Sequence, residues 1–439
     1  MIKYSKILIT FLFAAVTFEA SAQLSTNTSS PYSRYGIGEI APQLLPQNAG
    51  MGGISTGINS ISGYSTINLT NPAANAMIDL TTIDVGVYGN FVTLSQSGQT
   101  AQGSKNFSLN HLAFGLPVSK RSAIVFGLTP YSDVGYNYRQ SQSNLGSGSS
   151  IDTNAVNFIY TGEGGLTKAY IGYGFGIGKH LSIGGNISYI FGNLKNYSST
   201  EIPALYGTQN TRTEISQRIQ GLNYDYGIQY MFDISEKNRL TIGYSGSANS
   251  KLDIETNKYT THYTTDGTGN EIPATDTLTS VLGPKNQLQL PQINRFGISY
   301  RMGAKLLVGA DYSMGKWSDF AIDGQKQGFK NSQTINVGAQ ITPNINKLNN
   351  YWALVDYRFG FMYNQTYLSL NNTDINQYAG TVGLGLPLRP GLSSFYKINI
   401  SAEVGKRGSL TNGLVRESYV NIRLGFTLND KWFRRYKFD

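Results

Sequence analysis

Close to its end the chain reads Val420-Asn421-Ile422-Arg423-Leu424-Gly425-Phe426-Thr427-Leu428. Apolar and polar residues exchange at every step, so successive side chains of an extended strand leave on opposite faces, one greasy and one polar. Three more segments repeat the pattern. Tyr396, Ile398, Ile400, Ala402 and Val404 alternate with Lys397, Asn399, Ser401 and Glu403. Ile335, Val337, Ala339 and Ile341 alternate with Asn336, Gly338 and Gln340, and Leu222, Tyr224, Tyr226, Ile228, Tyr230 and Phe232 with Asn223, Asp225, Gly227 and Gln229. A soluble sandwich also alternates, with its apolar face turned inward, so a further argument must choose the solvent. The segments run to about ten residues or more, the length of a tilted membrane strand. Aromatics recur near segment ends, at Tyr88, Phe91, Phe107, Tyr131, Tyr363 and Trp432, where an interfacial girdle places them.

Composition agrees. Of 439 residues only 14% are charged and 40% apolar, with 50 Gly and 30 Tyr, and the mean hydropathy is −0.24. Charge has been replaced by small polar residues, Gly and Tyr, which favour strands and turns over long helices. The absence of Cys excludes disulfides and thiolate metal sites. Lys3 and Lys6 precede an apolar run, Ile7 to Phe18, and Ala20-Ser21-Ala22 supplies a small-x-small cleavage pattern. Residues 1–22 therefore read as a secretory signal peptide cut before Gln23. No later window is long and apolar enough for a membrane helix, so an exported chain that sits in a membrane must close into a barrel. The net charge of +9 is clustered only at Lys431, Arg434, Arg435 and Lys437. Such a tail fits a solvated patch or lipid head groups better than nucleic acid, which requires basic residues interleaved with aromatics.

Strands are predicted at 81–92, 107–116, 122–138, 167–177, 181–195, 215–233, 239–254, 288–302, 304–315, 330–343, 350–365, 375–388, 395–406 and 417–428, fourteen in all. Links at 117–121, 178–180, 234–238, 303, 344–349 and 389–394 are short. Those at 93–106, 139–166, 196–214, 255–287, 316–329, 366–374 and 407–416 are longer and polar. Short and long links alternate, as turns and loops do in an outer-membrane barrel, and the even count leaves both termini on one side. Ile151–Tyr160 is expected to be a strand-like excursion inside a long loop, and the Thr-rich stretch Thr256–Thr279 a loop. Residues 23–80 do not alternate. Their Leu44, Leu45, Met51, Ile54, Ile58 and Ile61 make them more than a spacer, and either a periplasmic tail or a lumen plug fits.

Ala49-Gly50-Met51-Gly52-Gly53, followed by Asn71-Pro72-Ala73-Ala74, resembles the N-terminal hatch of FadL-type transporters of long-chain fatty acids and other hydrophobic compounds. Further matches follow in order: Phe114 to Val118 into Ala123 to Gly127, then Leu290-Pro291, Phe296 to Tyr300, Asp311-Tyr312 and Trp317-Ser318-Asp319-Phe320. Ser30-Pro31-Tyr32-Ser33-Arg34-Tyr35-Gly36 is similar to openings seen in Bacteroidota members. The resemblance implies an all-β, monomeric 14-stranded transmembrane barrel (81–439) plugged by a hatch (23–80). Substrate would enter from outside and leave sideways where the third strand is kinked. Gly127 and Pro130 lie in that strand; Gly permits a bend and Pro cannot donate to the ladder. Asn71-Pro72-Ala73 would be a tight hatch turn near the opening, and the lumen charges Asp225, Lys397, Glu403 and Arg423 would hold the hatch.

Catalysis is weakly supported. The histidines are His111, His180 and His262. His111 has Ser108 and Asn110 nearby, but adjacent residues of one strand point to opposite faces. No two His are close enough in sequence for a metal site, and Gly172-Tyr173-Gly174-Phe175-Gly176 lacks the following helix of a dinucleotide fingerprint. The expectation is a cell outer membrane protein, not an enzyme, without cofactor or metal. Its partners would be outer-membrane lipid and a hydrophobic small molecule. A non-transport barrel serving as a scaffold or secretion-system partner is the alternative.

Overall fold

The computed structural model describes residues 28–61, 65–143, 155–202, 207–266, 270–347, 349–388 and 394–432. The expected signal peptide and the basic residues Arg434, Arg435 and Lys437 lie outside them. Fourteen antiparallel strands form the wall: β1 (Thr81–Gln96), β2 (Gln102–Ser119), β3 (Ser122–Gln142), β4 (Val156–Ile177), β5 (Leu181–Glu201), β6 (Asn210–Asp233), β7 (Asn238–Ser247 and Lys251–Thr265), β8 (Glu271–Gln289 and Ile293–Met302), β9 (Leu306–Gly315), β10 (Ser332–Ile341), β11 (Asp356–Leu370), β12 (Thr373–Pro387), β13 (Ser394–Gly408) and β14 (Val415–Asp430). β7 and β8 are each one barrel strand interrupted once. β6 pairs with both halves of β7 in turn, Asp225↔Ser247 downward and Gln220↔Asp253 upward. β14 pairs with β1 from Val415↔Gln96 to Asp430↔Thr81 and closes the ring.

The faces are inverted relative to a soluble protein. Val420, Ile422, Leu424 and Phe426 are exposed, as are Ile335, Val337, Leu222, Tyr224, Ile228 and Phe232, whereas Asn399, Ser401, Arg423, Asn223 and Gln229 are buried. A continuous exposed apolar belt around a polar interior suits lipid outside and a lumen inside. No helix among the described residues is long and apolar enough to cross a membrane; crossing is by strands. Val382 is 59% exposed in the middle of β12. Val382→Arg is expected to lower folding stability in lipid by roughly 2–4 kcal/mol, the cost of a cation at the bilayer midplane. Urea titration of the protein in vesicles measures it; an unchanged midpoint would put β12 outside the lipid belt.

The strand count agrees with the reading of the sequence, but the links do not. Val156–Tyr160 is no excursion: it begins β4, paired with β3 (Gln142↔Val156, Tyr138↔Tyr160) and with β5 (Tyr160↔Ser198). Residues 151–154 lie outside the described part. Thr256–Thr279 is likewise mostly strand, the upper ribbon of β7 and β8 (Thr264↔Ile272, Tyr259↔Ser280). The long links shrink accordingly. The link at 366–374 becomes a two-residue reversal at Asn371 and Asn372, both left-handed with φ of 48° and 58°; Asn tolerates that conformation. Conversely, the 342–355 link contains a helical turn, Tyr351–Leu354, and exceeds several of the supposed loops. The strict length alternation therefore fails. In the Thr-rich ribbon the strands run on past the lipid belt with polar residues on both faces, and at Val156–Tyr160 with apolar residues on both, Val156 buried among them, so the alternation that marks a strand disappears while its hydrogen-bond ladder continues.

Candidate functional site

Residues 28–61 and 65–80 are drawn into the barrel, and the strands that meet them carry glycine where they touch. Asn71 caps the short 3-10 helix Pro72–Met77, its side chain accepting from the Ala73 amide at 3.1 Å while donating to the Thr56 carbonyl at 2.8 Å. The helix lies on Gly174, Gly184 and Gly227, which face one another across β4, β5 and β6. A Cβ on any of them would stand 2.0–2.5 Å from Asn71, Pro72 or Ala76. Asn71, Pro72 and Ala73 thus form a buried turn on β4–β6. A second landing is Gly338↔Gly360 on β10 and β11, which receives the backbone of Met51 and Gly52.

One seam interrupts the wall. β2 and β3 pair from Ser119↔Ser122 up to Leu112↔Leu128. Above that, β2 keeps only β1 (Asn106↔Asn90) and β3 only β4 (Tyr136↔Gly162). Asn110 is an extra residue bulged from β2, where the β1 register jumps between Gly86 and Val87. Gly127 sits on the penultimate rung before the split, and Pro130 just above it, at a second bulge. Residues 29–44 fill the gap. On the β2 side the Ser29 hydroxyl lies 2.7 Å from that of Ser104, and Asn110 donates to the Leu44 carbonyl at 3.2 Å. On the β3 side Glu39–Ile40 pairs as a short strand with Asp133 and Ser132. The Ala41 amide donates to Tyr131 at 3.0 Å, and the Gln43 amide to the Pro130 carbonyl at 2.6 Å.

The four charges singled out from the sequence all face the lumen. Asp225 accepts from Lys168 (2.6 Å) and Ser247 (2.7 Å), Glu403 accepts from Arg423 (2.9 Å) and Tyr419 (3.0 Å), and Lys397 donates to Asp356 (2.8 Å). Asp225, Glu403 and Arg423 therefore bond to other wall residues. The grip on the inserted segment comes from other residues, of which the sequence marks Asp311 and Ser30 only as parts of matching motifs and Arg407 not at all. Arg407 donates to Glu39 (2.6 Å), Glu417 (2.6 Å) and Ser30 (2.9 Å). Asp311 accepts the Ser55 and Thr56 amides at 2.8 and 2.7 Å. Burial pushes the Glu39 carboxyl up, but the Arg407 guanidinium and the Thr28 hydroxyl outweigh it and hold the group below its ordinary range. Pairing between residues hundreds of positions apart leaves no local signature.

A cavity of about 350 Å³ lies between the segment and the wall. Ile40, Pro42 and Leu44 line it from the seam side, and Arg295, Asp311 and Tyr131 from the wall and lumen. The extracellular mouth is covered by an aromatic cluster: Trp317 stacks on Tyr367 at 3.9 Å, Phe320 and Phe329 pack beside them, and the Tyr367 hydroxyl donates to the Gly38 carbonyl at 3.0 Å. His111 is fully buried against Asp84 at 2.6 Å, a pairing that the sequence reading did not anticipate. Its other ring nitrogen lies 2.9 Å from Asn110. Both nitrogens are engaged, so the ring has no lone pair free to activate a hydroxyl.

A family model described as BamG matches residues 1–439. The chain belongs to the BamG family. No curated protein matches it. Among solved structures, this BamG-family barrel is similar to the toluene transporter TodX of Pseudomonas putida, at 16% identity and a TM-score of 0.58 over 90% of this chain and 100% of the other. It is also similar to the toluene transporter TbuX of Ralstonia pickettii (16%, 0.56, 89% and 99%), and to a FadL homologue of Pseudomonas aeruginosa (13%, 0.53, 90% and 100%). At such identities the likeness establishes the fold alone, the 14-stranded antiparallel barrel.

Proposed function

We propose that this BamG-family barrel is an outer-membrane channel for passive uptake of hydrophobic compounds, with the β2–β3 seam as the passage between lumen and bilayer. The observation that carries it is the seam itself. Above Leu112 and Leu128 the strands β2 and β3 do not pair with each other, and residues 29–44 bond to both instead. In this reading residues 23–80 are the hatch, released into place after cleavage behind Ala22, and Gly127 and Pro130 set where the wall parts. The cavity behind residues 40–44 has the volume of a small-molecule pocket, and its apolar seam side would pass a hydrophobic solute, a long-chain fatty acid among them, outward into lipid. In this reading flux runs down a gradient.

A Ser29→Cys, Ser104→Cys pair tests this in a protein that has no native Cys. The two hydroxyls are 2.7 Å apart, so the thiols can bridge and fix the hatch to β2. Uptake of a fluorescent fatty acid or a radiolabelled monoaromatic compound is expected to stop on oxidation and return with reductant. Undiminished flux through the locked protein would eliminate the lateral route. A second reading, a scaffold or partner barrel without transport, is favoured by the aromatic cover of Trp317, Phe320, Phe329 and Tyr367 over the mouth. Wild-type uptake no greater than that of cells with empty vector, together with stoichiometric co-purification of another membrane protein, would establish it instead.

A further inference from the structure

We propose that the short-turn rim of the barrel is a docking surface for anionic phospholipid head groups. The rim carries Lys120 and Arg121 in the β2–β3 turn, Lys179 in β4–β5, Lys237 in β6–β7 and Lys305 in β8–β9. The four turns are tied to their neighbours, so these charges form one arc. Arg121 donates to the Lys179 carbonyl at 3.0 Å, and the next carbonyl, that of His180, accepts from Met231 at 2.7 Å. The Lys237 carbonyl accepts from Gly303 at 2.6 Å, and that of Lys305 from Thr342 at 2.9 Å. Acidic residues do not cancel the arc. Asp233 is taken by Arg239 at 2.6 Å, which leaves Glu236 and, at the foot of β1 and β14, Asp79 and Asp430 against five cations, and none of the four lysines makes an ion pair among the described residues. The contrast with the lumen is marked, since Asp225, Asp356, Glu403 and Glu417 there each sit beside a cation.

Position selects a lipid surface over an acidic protein as the occupant. The turns are too short to project: Ser119 still pairs with Ser122, leaving only Lys120 and Arg121 between them. Exposed apolar residues of the lipid belt, Val118, Ile177, Ile234 and Met302, lie within three residues of these charges. At about 3.3 Å per residue the cations stand within roughly 10 Å of the hydrocarbon edge, the depth of the head groups. Exposed Trp352 and Tyr351, in the helical turn of the same rim, are aromatic anchors of that interfacial layer. Cations so placed attract anionic lipid by direct Coulomb interaction, which salt screens.

The test reconstitutes the full-length protein in phosphatidylcholine membranes and measures boundary association of spin-labelled cardiolipin by electron spin resonance. Wild type is expected to prefer it over spin-labelled phosphatidylcholine at least about threefold at low salt, with the preference fading as salt rises. The variant Lys120→Gln, Arg121→Gln, Lys179→Gln, Lys237→Gln, Lys305→Gln should associate with both lipids equally. Arg139→Gln, Arg218→Gln, Lys251→Gln, in the opposite half of the barrel, should retain the wild-type ratio. Heat-dependent gel mobility verifies that each barrel is folded. Equal association in wild type, or a preference that survives in the five-site variant, would overturn the proposal. So would an acidic protein binding the rim where no lipid preference exists.

Discussion

Arg407→Ala is expected to free the start of the inserted segment while leaving the barrel wall assembled. Arg407 is the cation between Glu39 on the segment and Glu417 on β14, and it also donates to Ser30. Its side chain is 13% exposed, that of Glu417 1% and that of Glu39 33%, so truncation strands the buried Glu417 carboxylate beside a second, partly exposed one. Removing one partner of a buried ion pair costs about 3–5 kcal/mol, chiefly through the charge left behind. That penalty falls on residues 28–40, because the wall keeps the β13–β14 ladder, Arg407↔Glu417 included, through its backbone. Limited proteolysis of intact cells should cut the segment in the variant while it stays protected in wild type, with heat-dependent gel mobility unchanged in both. An equally protected segment would show that Glu39–Ile40 and the Gln43 bonds hold it without the ion pair. Arg407→Lys should restore part of the protection, since the charge returns but the forked geometry that reaches both carboxylates does not.

Gly360→Val should displace the middle of the segment, at Met51 and Gly52. A Cβ there would sit 2.2 Å from the Gly52 nitrogen and 2.4 Å from the Met51 carbonyl carbon. Both are backbone atoms, so no rotamer change relieves the clash and the segment must rise off β10 and β11. Overpacking of this kind costs roughly 1–3 kcal/mol, and lifting the segment would open the lumen beside it. Planar-bilayer recordings are expected to give larger and less steady conductance than wild type. Gly380→Val is the matched control, since its Cβ would meet nothing within 4 Å. Identical traces from Gly360→Val and wild type would mean that the landing on β11 does not seal the lumen.

These two sites differ in how far the sequence exposes them. The alternation at Val420 to Leu428 and its three counterparts is local, because it needs only the pleat of a strand between lipid and a polar interior. It therefore gave the strand count, and with it a barrel whose ends share one rim. Where strands leave the lipid in the Thr-rich ribbon of β7 and β8, polar residues occupy both faces and the pattern is lost; at Val156–Tyr160 it is lost the other way, because Val156 is buried and Tyr160 packs on the core, so apolar residues occupy both faces. Those elements were misassigned for that reason, and the link lengths with them. Asn71-Pro72-Ala73 was legible as a turn from its own chemistry. Its landing on Gly174, Gly184 and Gly227 was not, because those glycines come together only by the register of β4, β5 and β6.

By itself, then, the sequence determined a strand-built chain with an apolar face for lipid, a polar face for a lumen, and a distinct N-terminal segment of some 60 residues. All of that follows from contacts between a residue and its solvent, or between residues a few positions apart. The resemblance pointed to a kinked third strand with Gly127 and Pro130; tertiary structure alone decided which charges grip the segment, and at which rung the pairing of β2 and β3 stops. Arg407 and Glu39 are separated by 368 positions, and the rung at which pairing stops, Leu112↔Leu128, is set by the register of two strands. Such features depend on ring closure, when fourteen strands take a common register and whatever cannot pair across the wall must pair with the segment inside it.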